Sequence, residues 1–126
     1  MNKKYNQEIS DKWGKNEAFK EYNRKTKNYN DEKWKSLSEN MNKIFTQFSM
    51  FKRSDKGFDD MEVQNLVNEL KDFISKNYYN CTNSILLNLG QMYVTDERFT
   101  SNIDKDVPGT AEYVNKAIEF YYRKNN

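Results

Sequence analysis

Residues 77–100 read NYYNCTNSILLNLGQMYVTDERFT, and this stretch decides the fold. It holds the only cysteine, Cys81, the central apolar run Ile85, Leu86, Leu87 and Leu89, and an acid–base cluster of Asp96, Glu97 and Arg98 closed by Phe99. Asn80 reads as the N-cap of a helix from Cys81 to Val94, because its side chain can accept from a free backbone N–H of the first turn. That helix is apolar on more than one face, so it is expected in the middle of the molecule. Gly90 lies inside it and costs about 1 kcal/mol relative to Ala. A close helix crossing is the expected reason for keeping it. Asp96 then opens a short helical turn ending near Asp104.

Working outward, the chain is short of helix breakers. Pro occurs once, at Pro108, and Gly at positions 14, 57, 90 and 109 only, which predicts helices nearly throughout. Residues 2–13 form a candidate first helix ended by Gly14. Asn16 caps a second, with Phe19, Tyr22 and Thr26 on one side. Asn30 caps a long third helix whose stripe Trp34, Leu37, Met41, Ile44, Phe48 and Phe51, widened by Phe45, repeats at three- and four-residue steps and reads as core. Lys52 to Gly57 is a polar turn closed by its glycine. Asp59 or Asp60 starts a fourth helix that buries Val63, Leu66, Val67, Leu70, Phe73 and Ile74, and a polar break follows at Ser75–Asn77. Pro108 suits the start of the last helix, where Ala111, Val114, Ala117, Ile118 and Tyr121 face inward. The fold class expected is all-α. The N-terminal helices are poor in aliphatic residues, and short helices of that kind are marginal alone. They are expected to be the least stable part.

The 126 residues fit one domain. Aromatics supply 15% of them, so a core is feasible although mean hydropathy is −1.15. A single cysteine points to a reducing cytosol. Histidine is absent, which removes the commonest general base and the commonest zinc ligand. Neither an apolar N-terminal signal nor a run of membrane-spanning length is read, so a cytoplasmic location without membrane contact is expected. Residues 1–56 carry 14 Lys and Arg against 8 Asp and Glu, a balance of +6, whereas residues 57–126 carry 7 against 11, a balance of −4. Docking of the two halves or ordinary solvated faces both account for that asymmetry.

Weighed as chemistry, the candidate sites are weak. Cys81 lacks a histidine to activate it and is expected to be a half-buried structural thiol. Asp96 is expected to cap a helix and Arg98 to pair across to a neighbouring one. Neither a phosphate loop nor zinc spacing is found, and neither an enzyme, a metal nor a cofactor is expected. Lys20, Arg24, Lys25 and Lys27 beside Tyr22 and Tyr29 offer a faint nucleic-acid signal, diluted by interleaved acids. A helical protein-interaction or dimerisation module is the alternative expectation.

The tract CTNSILLNLGQMYVTDERFTSNID, residues 81–104, with Tyr78 and Tyr79 upstream, resembles the TipAS-type antibiotic-recognition domain, also called the thiostrepton-binding domain. So does DKWGKNEAFKEYNRKTKNYNDEKW, residues 11–34, where a Trp-Gly pair precedes aromatic- and basic-dotted helices and a second Trp. The likeness runs from residue 5 to residue 122. It implies a single globin-like domain over residues 1–126, with 1–30 as mobile lid helices and 31–126 as the helical core. It implies binding of bulky, thiopeptide-like cyclic peptide antibiotics. In the family such domains serve as effectors of MerR-type transcriptional activators or as stand-alone drug-sequestering proteins. DNA contact is then expected only through a separate N-terminal domain, and a homodimer is possible. The family's reactive cysteine aligns with Asn88, and an amide cannot add to a dehydroalanine as a thiolate can. Reversible binding is therefore expected, unless Cys81, seven residues earlier, on the same helix face and itself a ligand-binding candidate, substitutes for it. With position 88 in the cleft, Ser84, Ile85, Gln91 and Met92 are implied to line it, with Tyr78 near the helix start. Trp13, Tyr22, Tyr29 and Trp34 are the lid candidates.

Overall fold

The structure, a computed structural model, describes residues 17–125. Six α-helices and no strand are found among them: α1 (Glu17–Thr26), α2 (Asp31–Arg53), α3 (Met61–Asn77), α4 (Asn83–Thr95), α5 (Glu97–Ile103) and α6 (Thr110–Asn125). The expected helix over residues 2–13, its Gly14 terminus and the Asn16 cap lie outside the described residues.

Local chemistry sets most of the helix starts. Asn30 caps α2, its side chain accepting from the Lys33 N–H at 2.8 Å. Asp60 caps α3 through the Glu62 N–H at 2.8 Å, and Asp96 caps α5 through the Arg98 N–H at 3.0 Å. Each satisfies a donor that the first turn leaves without an intrahelical partner.

Four boundaries depart from expectation. The cap of α4 is Thr82, accepting from the Ile85 N–H at 3.2 Å, so Asn80 and Cys81 precede the helix. The Asn80 N–H is instead taken by the Glu21 carboxylate, at 2.5 Å, and the Cys81 N–H by the Ser75 hydroxyl, at 3.0 Å. Residues 75–77 do not break α3, which runs on to Asn77. The Asn77 amide donates back to the Phe73 carbonyl at 2.9 Å. Pro108 stands two residues ahead of α6, because Gly109 takes φ +86° and Asp104 reaches forward to accept from the Ala111 N–H at 2.7 Å. In the turn after α2 the left-handed residue is Asp55, φ 59°, rather than Gly57.

The helix that meets most others is the last. α6 packs on α2, α3, α4 and α5, and its contact with α4 is the most extensive in the molecule. The reason is side-chain size: Ala111, Val114, Ala117 and Ile118 are fully buried, and the two alanines let neighbouring backbones approach. α4 packs chiefly on α6 and α5, leaving Ser84 and Gln91 exposed, so it is not the centre that its hydropathy suggests. Gly90 does mark a close crossing. A Cβ there would lie 2.7 Å from the Asn115 Oδ1 and 3.1 Å from the Ile118 Cδ1.

Candidate functional site

A cavity of about 480 Å³ opens between α2, α3, α4 and α5. Its floor is apolar, formed by Met41 and Phe45 of α2, Ile74 of α3, and Leu89 and Tyr93 of α4. Aromatic rings make the walls: Trp34, Tyr78, Tyr79 and Phe99. Among the described residues the aliphatic polar side chains of its lining are Lys35, Ser38 and Asn42 of α2 and Asn102 of α5. An apolar enclosure with a few polar groups at fixed positions is the usual make-up of a site for a small organic ligand.

The walls hold each other in place. Trp34 and Tyr78 lie nearly parallel, centroids 6.3 Å apart, and Tyr22 stacks on the other partner, 6.2 Å from Tyr78. Tyr29 meets Trp34 edge-on at 5.4 Å, and Phe45 meets Tyr93 edge-on at 5.4 Å. Such pairs contribute about 0.5–1.5 kcal/mol each beyond their buried area. Three polar contacts clasp α1 and its following turn to the segment carrying Tyr78 and Tyr79. Lys25 donates to the Ser75 carbonyl at 2.6 Å, the Tyr29 hydroxyl to the Asn77 carbonyl at 2.7 Å, and the Asn80 N–H to Glu21.

Burial keeps the acidic groups near the cavity neutral. It pushes the Tyr78 phenol up to about 12, with Tyr29 adding to the effect, and raises Tyr93, next to Cys81 and Tyr78, further. These phenols therefore serve as hydroxyl donors and ring surfaces. Cys81 is 1% exposed, not half-buried. Burial drives its thiol from an ordinary 9.0 to about 12, against a smaller opposing pull from the Lys71 ammonium. The thiolate is the nucleophilic form of cysteine, and burial disfavours it at Cys81. Lying before α4, Cys81 does not share a helical face with Asn88.

Of the residues read from sequence, Trp34 and Tyr78 line the cavity. Tyr22 and Tyr29 stand behind them as supports. On α4, Ser84 and Gln91 are exposed, Ile85 and Asn88 are half-buried, and Met92 is buried; none of these lines the cavity. The face that does is Leu89 and Tyr93, one residue on from 88 and 92, or about 100° round the helix. Trp13 lies outside the described residues. Within the acid–base cluster Arg98 Nε donates to Asp96 Oδ1 at 3.0 Å, and Asp96 caps α5, which carries Phe99 and Asn102 to the cavity.

A sequence profile of the TipAS antibiotic-recognition domain matches residues 5–121. The chain belongs to that family. It is 31% identical over 114 residues to the HTH-type transcriptional activator TipA of Streptomyces coelicolor, covering 90% of this chain and 45% of TipA. It is 32% identical over 117 residues to the HTH-type transcriptional activator mta of Bacillus subtilis, covering 93% of this chain and 44% of mta. It thus spans just under half the length of these relatives. Among solved structures it resembles TipAS of Streptomyces lividans in complex with nosiheptide, a thiopeptide antibiotic. That match has a TM-score of 0.83 and 28% identity, covering 98% of this chain and 86% of that one.

Sequence reasoning missed most of the cavity of this TipAS domain. Met41 and Phe45 were read as core, and Phe45 is indeed buried, but Trp34 and Met41 are half-buried. The available signal was the polar set Lys35, Ser38 and Asn42, which runs beside them at helical spacing. Tyr79, Phe99 and Asn102 come from a loop and a short helix, where no periodicity marks a face. Among the described residues no helix is long and apolar enough to cross a membrane, and no group of His, Cys, Asp or Glu could hold a metal ion.

Proposed function

We propose that the aromatic cavity of this TipAS domain binds a bulky, thiopeptide-like peptide antibiotic reversibly and without chemical turnover. The observation that carries this reading is the cavity itself: stacked rings over an apolar floor, with amides and a hydroxyl at the rim. Planar heteroaromatic rings and backbone amides of a cyclic peptide antibiotic fit that pairing. Such a ligand exceeds about 480 Å³, so one segment enters and the remainder lies across the rim. The buried, protonated Cys81 and the amide at Asn88 support reversibility. The domain then acts in the cytoplasm, as the effector part of a regulator that touches DNA through a separate N-terminal domain, or alone as a drug-sequestering protein. Ser84, Ile85, Asn88, Gln91 and Met92 would then meet only the parts of the ligand outside the cavity. Trp13 is proposed as a further contact.

Titration with nosiheptide tests this. In the unsubstituted protein tryptophan emission, to which Trp34 contributes from the cavity wall, is expected to shift and saturate. No response to nosiheptide or to other cyclic peptide antibiotics would overturn the reading. Denaturing mass spectrometry of the complex is expected to return the unmodified chain mass. For α1, a lid role predicts that its amides exchange more slowly once ligand is bound. Dimerisation, the alternative, has thinner support: Met50 and Met61 are exposed, but single exposed apolar residues are ordinary. It would show as a concentration-dependent mass.

A further inference from the structure

The rim of the cavity is electrostatically one-sided. Among the described residues Lys35 is the one charged side chain in the lining, and no carboxylate is among them. Asp31 and Glu39 stand one helical turn to either side of Lys35 on α2, yet among the described residues no carboxylate forms an ion pair with it. Lys35, Ser38 and Asn42 share a helix face at steps of three and four. Asn102 approaches from α5, and its amide donates to the Asn42 Oδ1 at 3.2 Å, so a single amide pair ties α2 to α5 beside the cavity. That bond uses one group from each residue. The Asn42 Nδ2 and the Asn102 Oδ1 remain, a donor and an acceptor, which is what a peptide amide presents in return. A ligand amide can therefore take up this pair with every polar group satisfied.

We propose that Lys35 and the Asn42–Asn102 pair set the ligand specificity of the cavity. The amide pair reads a polyamide backbone, and the Lys35 ammonium admits neutral or anionic ligands while disfavouring cationic ones. This rests on the reading that the cavity is the antibiotic site. An exposed ammonium is partly screened, so it discriminates by about tenfold rather than by orders of magnitude more.

The test uses the full chain and a thiazole-containing cyclic peptide made in three forms that differ in one side chain: amide, carboxylate or ammonium. Nosiheptide is the reference ligand. The unsubstituted protein is expected to bind the carboxylate form most tightly, the amide form next and the ammonium form least, with about tenfold between the extremes at low salt and the gap narrowing as salt rises. Lys35→Glu is expected to reverse the order and Lys35→Gln to abolish it, with circular dichroism and melting confirming the fold of each. Asn42→Ala and Asn102→Ala are expected to weaken all three forms alike. If nosiheptide and the peptides bind but Lys35→Glu leaves the order unchanged, the charge rule is overturned and the cavity reading stands. If nothing binds the unsubstituted protein, both fall.

Discussion

Gly90 shows how far one residue can be constrained by its neighbours. Its helix would gain about 1 kcal/mol from Ala, but the new Cβ would meet the Asn115 Oδ1 at 2.7 Å and Ile118 carbons at 3.1 and 3.3 Å. The Asn115 amide can swing aside. Ile118, with 0% exposure, has nowhere to go. Overpacking of this kind costs about 1–3 kcal/mol. Gly90→Ala is therefore expected to destabilise by about 1 kcal/mol net in chemical denaturation, and Gly90→Leu by considerably more. Adding Asn115→Ala should recover part of the Ala cost but little of the Leu cost, because the ring of contacts from Ile118 remains. A neutral or stabilising Gly90→Ala would mean that α4 and α6 do not cross this closely.

At the scale of elements, sequence reading succeeded where a boundary is set by a residue's own side chain and failed where a distant one decides. Asn30, Asp60 and Asp96 cap their helices as their types suggest. Asn80 and Thr82 are both good caps, and nothing local separates them. The choice falls to Thr82 because Tyr78, Tyr79 and Cys81 are buried and the Asn80 and Cys81 N–H groups are claimed by Glu21 and Ser75, the first of them 59 residues away in the chain. The start of α6 is likewise set by Asp104, seven residues upstream of the Ala111 N–H that it accepts from. The same clasp yields a prediction for α1. Tyr29→Phe removes the bond to the Asn77 carbonyl, at a cost of about 1 kcal/mol. Adding Lys25→Met removes the bond to Ser75. Hydrogen exchange of α1 should then speed by roughly thirtyfold, while the amides of α4 and α6 keep their protection. Equal acceleration everywhere would show that α1 opens only with the whole molecule.

Across the whole molecule, the fold was more legible than the site because periodic burial writes itself into sequence and a cavity does not. Trp34, Met41 and Phe45 follow the same stripe as Leu37, Ile44 and Phe48, yet the first three line the aromatic cavity, Leu37 and Ile44 border a separate, more polar cleft against α3, and Phe48 is fully enclosed. Only the meeting of four helices separates them. That meeting also fixes how the molecule answers to pH. Without histidine no side chain has an ordinary pKa between about 5 and 8, so stability should be nearly flat around neutrality. The buried acids act at higher pH. Cys81 rises from 9.0 to about 12 and Tyr78 from 10.0 to about 12 on folding. A group whose folded pKa is the higher one binds its proton more tightly in the folded state. Its stabilisation is complete below the unfolded pKa and is lost as pH climbs toward the folded one. Stability should therefore hold to about pH 9 and then fall progressively as the thiol and, from about pH 10, the buried phenols Tyr22, Tyr78 and Tyr93 ionise in the unfolded chain but not in the folded one. Cys81→Ala should remove the onset of that fall, between about pH 9 and 10, where the thiol acts alone, and make the fall shallower above it, with the tyrosine part left in place. Denaturant melts across this range provide the check. An unchanged early slope in Cys81→Ala would place the thiol in contact with solvent.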